Sequence, residues 1–272
     1  MAVYHTALAM HYRLIPTLFL LALCQLPLIA AAQPLGPQLP YKVLQKLPHD
    51  PQLFTQGLVI EDNTLWESSG LYGRSLLQRR DKQQVRALTQ FRYPAHEFAE
   101  GIALMGDYLY GLTWKSGRVY RWRKHSLELD RTYRIHGEGW GLSLWREDLA
   151  ISNGSDTITF YHPETLSPKR SIQIRAEGEP VTRLNDLTAT SNHLWANIWH
   201  NHQVIQIDPD TGEVTAHLNL RKLVDENRSY QNEAVLNGIA WDNSSNTLWV
   251  TGKYWQHLYQ LELLPGSGKI QR

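Results

Sequence analysis

Glu67 is the carboxylate with the strongest sequence case for moving a proton. It follows Trp66 in Thr64-Leu65-Trp66-Glu67-Ser68-Ser69-Gly70, at the end of an apolar stretch and just before a turn. An apolar aromatic neighbour raises a carboxyl pKa into the range useful for acid–base work. Other residues suit an amide substrate. Gln56, Asn185, Asn197 and Asn237 supply carboxamides that hydrogen-bond amide or peptide carbonyls. Trp114, Trp140 and Trp199 are candidates to wall a pocket and exclude water. Lys253 can stabilise negative charge, or pair with Glu100, and Lys115 and Trp255 complete the set. Each tryptophan reads equally well as core packing, Glu67 also as a rim carboxylate that caps a turn, and Glu100 and Glu138 as carboxylates that bind backbone N–H groups around a channel.

Metal chemistry has no signature. There is no cysteine pair and no His-Glu-x-x-His. His200 and His202, two apart in Trp199-His200-Asn201-His202, read as solvated loop histidines. No metal ligand and no cofactor is expected.

These residues need a frame, and the chain repeats to supply one. Five units each open with a polar or small residue and an aliphatic one, turn, and return on an aromatic-rich strand. They begin at Gln56-Gly57-Leu58, Glu100-Gly101-Ile102, Trp140-Gly141-Leu142, Asn185-Asp186-Leu187 and Asn237-Gly238-Ile239. The aliphatic positions are 44, 40, 45 and 52 residues apart. A period of this size with several short strands per unit predicts an all-β, five-bladed β-propeller rather than a sandwich. Third strands follow, as in Thr157-Ile158-Thr159-Phe160-Tyr161 and Gln203-Val204-Ile205-Gln206-Ile207, alternating apolar with polar. The charged stretch from Arg221 to Glu233 predicts a short helix on the longest connection. In a propeller, equivalent positions of successive blades converge on one end of the axis.

Composition agrees. Of the 272 residues 42% are hydrophobic, enough for a sizeable core. Lys plus Arg total 27 against 26 Asp plus Glu, with no basic stripe, which argues against nucleic acid as a partner. Arg13 precedes an apolar run from Leu14 to Ala32 that ends in Ala30-Ala31-Ala32. Residues 1–32 therefore read as a secretory signal peptide, and 33–272 as a single catalytic propeller, periplasmic or secreted and not stably inserted in a membrane. The one cysteine, Cys24, falls inside the leader, so no disulfide is expected. Cleavage there exposes Gln33.

Five stretches carry a resemblance: Phe54-Thr55-Gln56-Gly57-Leu58, Trp66 to Gly73, Phe98-Ala99-Glu100-Gly101-Ile102, Gly137 to Leu142, and Thr251-Gly252-Lys253-Tyr254-Trp255. Together they make the chain similar to the plant and bacterial type of glutaminyl-peptide cyclotransferase. The resemblance implies that the amine of an N-terminal glutamine attacks its own side-chain amide, giving pyroglutamate and ammonia. The substrates would be peptides or proteins with N-terminal glutamine, and Gln33 of this chain would itself qualify. The resemblance also implies a metal-independent enzyme, and Glu67 as its proton-transfer group. The expected assembly is a monomer. Trp66 stands where Tyr is usual, Asp186 where Glu is usual, and Asn153 where Asp is usual. The rival readings are a five-bladed glycosidase, built on two or three inner carboxylates, and a non-catalytic peptide-binding propeller.

Overall fold

The computed structural model describes residues 35–265, so the expected leader and Gln33 lie outside the described residues. The chain opens with β1 (Tyr41–Pro48). Blade one follows as β2 (Thr55–Glu61), β3 (Thr64–Ser69), β4 (Leu76–Asp81) and β5 (Thr89–Arg92). Blade two is β6 (Ala99–Met105), β7 (Tyr108–Thr113), β8 (Arg118–Arg123) and β9 (Leu129–Arg134). Blade three is β10 (Leu142–Trp145), β11 (Asp148–Ser152), β12 (Thr157–Tyr161) and β13 (Pro168–Gln173). A small hairpin, β14 (Arg175–Ala176) with β15 (Glu179–Pro180), precedes blade four: β16 (Leu184–Ala189), β17 (Leu194–Ile198), β18 (Gln203–Ile207) and β19 (Val214–Asn219). Helix α1 (Arg221–Glu226) occupies the long connection to β20 (Leu236–Asp242), β21 (Thr247–Gly252) and β22 (His257–Leu263).

Blade five has only three strands of its own. Its fourth is β1, antiparallel to β22 from Tyr41 opposite Leu263 to Pro48 opposite His257. The first strand thus closes the ring against the last.

The repeat has a physical cause at each layer. Leu65, Leu109, Leu149, Leu194 and Leu248 stand at the same place on the second strand of each blade, and none reaches solvent. Burial of each contributes roughly 2 kcal/mol. Neighbouring blades meet through five hydrophobic clusters, one per interface. Trp66, Trp122, Trp195 and Trp249 are spent in them. At the axis, inner strands come so close that a Cβ on Gly57 would meet the Ile102 nitrogen at 2.6 Å. Blade four puts Asp186 at that position instead. Its carboxylate accepts N–H groups from Leu187 at 3.0 Å and Ile239 at 2.8 Å, tying blade four to blade five.

Candidate active site

All five inner strands start at one end of the axis. The residue before the axial glycine (or Asp186) is Gln56, Glu100, Trp140, Asn185 or Asn237 in turn, so these side chains gather there. A cavity of about 260 Å³ opens at this end. Gln56, Glu100 and Asn185 form its polar lining, Trp114, Trp140 and Trp199 its walls, and Lys253 its cation. Phe54, Phe98 and Glu233 also line it.

The walls are locked. One oxygen of Glu138, Oε2, accepts both the Trp114 indole N–H at 2.7 Å and the Trp140 indole N–H at 2.9 Å. Trp140 stands edge-on to Trp199 with ring centroids 5.6 Å apart, and Phe98 edge-on to Trp114 at 5.5 Å. His200 Nε2 donates to Glu233 Oε1 at 3.1 Å, and the His200 ring lies against the Trp199 ring. Lys115 is stacked over Trp114, its Nζ 4.1 Å from the ring centroid.

Glu100 and Lys253 supply the electrostatics. Glu100 is buried and its Oε2 has no hydrogen-bond partner. Burial pushes its carboxyl well above the ordinary value. Lys253 pulls the other way, Asp186 adds to the rise, and the Gln56 side chain opposes it. Burial lowers the Lys253 pKa, with Glu100 and Glu233 opposing. The Lys253 ammonium sits 4.4 Å from the centroid of the Phe54 ring. A buried acid with a free oxygen and a buried cation therefore face one apolar-walled space, which is what proton transfer and charge stabilisation require.

The expectation for Glu67 needs correction. Its side chain is fully buried and does not line the cavity. Oε1 accepts from His49 Nε2 at 2.8 Å and from the Thr55 hydroxyl at 2.7 Å, and Oε2 accepts from Gln78 at 3.2 Å. Burial alone would raise its pKa, but His49, Arg80 and Thr55 bring it down to about 2. Glu67 is a caged carboxylate on the second strand, opposite Leu58 in the ladder. None of its hydrogen-bond partners His49, Thr55 and Gln78 lines the cavity around Glu100.

Two carboxamides are likewise displaced. Asn237 does not line the cavity; its Nδ2 donates to the Thr55 carbonyl at 2.9 Å and to Gln56 Oε1 at 3.1 Å, so it holds Gln56. Asn197 is buried behind the lining, with neither side-chain polar atom hydrogen-bonded. Trp255 packs edge-on to Tyr259 inside blade five. Sequence reasoning missed Phe54 and Phe98, although each stands two residues before a lining group in the same Phe-x-Gln/Glu-Gly pattern. It missed Glu233 altogether, which lies on a non-repeating connection. Among the described residues, no group of three or more His, Cys, Asp or Glu could hold a metal ion.

The profile of the glutamine cyclotransferase family matches residues 18–263. A glutaminyl-peptide cyclotransferase of Arabidopsis thaliana is 33% identical over 232 residues, covering 84% of this chain and 72% of that protein. The crystal structure of Myxococcus xanthus glutaminyl cyclase superposes with a TM-score of 0.79 at 33% identity, covering 84% of this chain and 98% of that one.

Proposed function

The chain belongs to the glutamine cyclotransferase family, and from that premise we propose that it converts the N-terminal glutamine of peptides to pyroglutamate in the cavity around Glu100. The observation that carries the assignment is the buried Glu100 carboxyl with one free oxygen, facing Lys253 across that cavity.

The substrate brings its own nucleophile, so the protein has three tasks. The first is to fold the glutamine so that amine and side-chain carbonyl meet; the tryptophan walls, held by Glu138, restrict it to that shape. The second is proton movement. As the amine nitrogen bonds to Cδ, its proton passes to Glu100. As the bond from Cδ to the side-chain nitrogen breaks, Glu100 returns a proton to that nitrogen, which leaves as ammonia. The third is to stabilise the oxyanion on the former amide oxygen, for which Lys253, with Asn185 and Gln56 as polar neighbours, supplies the charge. Apolar walls also keep out water, which would otherwise hydrolyse the amide to glutamate.

Ammonia release from a Gln-initiated dipeptide amide tests this. Wild type turns over and Glu100→Gln does not, while Glu67→Gln keeps its activity once folded. Retained activity in Glu100→Gln would overturn the assignment.

The same reading extends to setting. We propose a metal-independent enzyme, because the proton carrier and the cation are both side chains of the cavity; chelator leaving the rate unchanged is the expected result. Export of a monomer cleaved near Gln33 is the matching proposal for location. Intact-mass analysis of the secreted chain tests the cleavage, and size-exclusion chromatography tests the monomer.

A further inference from the structure

The catalytic cavity has room for little more than the cyclising residue, so the rest of a peptide must leave by its mouth. A second cavity of about 290 Å³ lies at blade one. Its walls include Asp50, Gln78, Gln90, Arg74 and Arg92. The two cavities share a partition. Leu53 and Gly70 line the second, and Phe54 and Phe98 line the first. The Gly70 N–H donates to the Phe54 carbonyl at 2.9 Å, and a Cβ on Gly70 would overlap the Phe98 ring.

Tyr72 stands on that partition. Its ring lies edge-on to Phe98 at 5.5 Å, yet 52% of the residue is exposed. The loop that presents it is pinned. Gly73 N–H donates to the Ala95 carbonyl at 2.9 Å, and the Leu71 carbonyl accepts from Arg74 N–H at 3.0 Å and Ser75 Oγ at 2.8 Å. Leu71 is held at φ +92°, in the region that favours glycine. This aromatic surface is therefore preformed, and it needs no ordering when a peptide arrives.

The charges of the second cavity are unbalanced. Arg118 pairs with Glu97, and Arg121 with Asp130 and Glu164. Arg74 and Arg92 have no such carboxylate among the described residues. The one acid in the wall, Asp50, accepts the Gln52 N–H through Oδ1.

We propose that this cavity is a substrate subsite: Tyr72 carries the residue after the cyclising glutamine, and Arg74 with Arg92 binds a peptide carboxylate further along. The inference rests on the first cavity being the cyclisation site. The carboxylate lies beyond the residue that Tyr72 carries, so only a peptide longer than a dipeptide can present it. The ligand chemistry is an acidic side chain or the free C-terminus of a short peptide. A planar guanidinium pair suits either.

The test compares kcat/KM for Gln-Ala-amide, Gln-Ala-Ala-Glu-Ala-amide, Gln-Ala-Ala-Lys-Ala-amide, and Gln-Ala-Ala-Ala as amide and as free acid. The expected result is about tenfold preference for the Glu over the Lys peptide at low salt, shrinking as salt rises. A parallel gain for the free acid over its amide identifies the C-terminus as a second source of the carboxylate. Doubly reversed Arg74→Glu, Arg92→Glu should invert the preference and leave Gln-Ala-amide within twofold of wild type. Tyr72→Ala should raise KM for the longer peptides only. Equal rates for Glu and Lys peptides in the wild type, or a preference that survives charge reversal, would overturn the subsite. Loss of Gln-Ala-amide turnover in wild type would instead strike the cyclisation reading.

Discussion

His49 Nε2 lies 2.8 Å from Glu67 Oε1, and neither side chain reaches solvent. The other ring nitrogen, Nδ1, lies 2.8 Å from the Trp255 carbonyl, which only accepts. An ionised Glu67 also only accepts, so both nitrogens carry hydrogen and the ring is an imidazolium. The pair is a clasp across the ring closure. His49 N–H donates to the Gln256 carbonyl at 2.9 Å, and Tyr254 N–H to the Leu53 carbonyl at 2.8 Å. The clasped segment carries Lys253.

Glu67→Gln should therefore damage stability far more than chemistry. Breaking a buried pair leaves a charge uncompensated and costs about 3–5 kcal/mol. Urea denaturation should show that loss, while kcat/KM of the folded variant stays within about tenfold of wild type. A stable Glu67→Gln protein with no activity would restore Glu67 as the acid–base group.

The pair also sets a pH window. Glu67 is lowered from an ordinary value of 4.5 to about 2, so its contribution is full above 4.5 and is lost as pH falls towards 2. For His49, burial works to lower the pKa, but the charge and hydrogen bond of Glu67 outweigh it and raise the value above 6.5. Its contribution is full below 6.5 and is lost as pH rises through the raised value. The difference in Tm between wild type and a His49→Gln, Glu67→Gln variant should peak between pH 4.5 and 6.5. Taking the difference removes the opposite contributions of Glu100 and Asp186. A difference that is flat from pH 3 to 8 would rule out the ionised pair.

Glu100→Gln should reduce kcat by at least about 100-fold. Its stability should hold or improve in alkali. The raised carboxyl contributes stability below its unfolded value and loses it as pH rises through the folded one, and glutamine has no such loss. Wild-type kcat/KM should rise with pH on an acid limb above the ordinary carboxylate range, because the amine needs an ionised acceptor. Stopped ammonia assays across pH, with melting curves beside them, measure both effects.

Glu138→Leu should release both indoles and lower kcat/KM roughly 10- to 100-fold, with most of the effect in KM. Glu138→Gln keeps an acceptor oxygen and should recover most of the loss. Tryptophan fluorescence of the two variants should separate in the same order. Equal kinetics for Leu and Gln would mean that the shared oxygen does not position the walls.

Local pattern in the sequence was enough for the blades. Alternation within strands, turn residues and a leucine repeated at one register are properties of neighbouring residues, so five units and their axial positions could be counted directly. The tryptophan walls and Lys253 followed, because each stands at the loop end of a strand whose place in the repeat was known. What joins distant segments was not legible. The sequence does not say that β1 pairs with β22, more than 200 residues away, because an exposed strand at either end of the chain has no local partner. Nor does it choose between Glu67 and Glu100. Both follow apolar residues, and proximity to Trp66 favoured the one that does not line the cavity. The choice lies in what surrounds each carboxylate once the ring closes. His49, Thr55 and Gln78 between them hydrogen-bond both oxygens of Glu67. Glu100, on an inner strand, is left with a free oxygen and a cavity before it. A carboxylate's pKa depends on desolvation and on charges within a few ångströms, and only the tertiary structure brings those together.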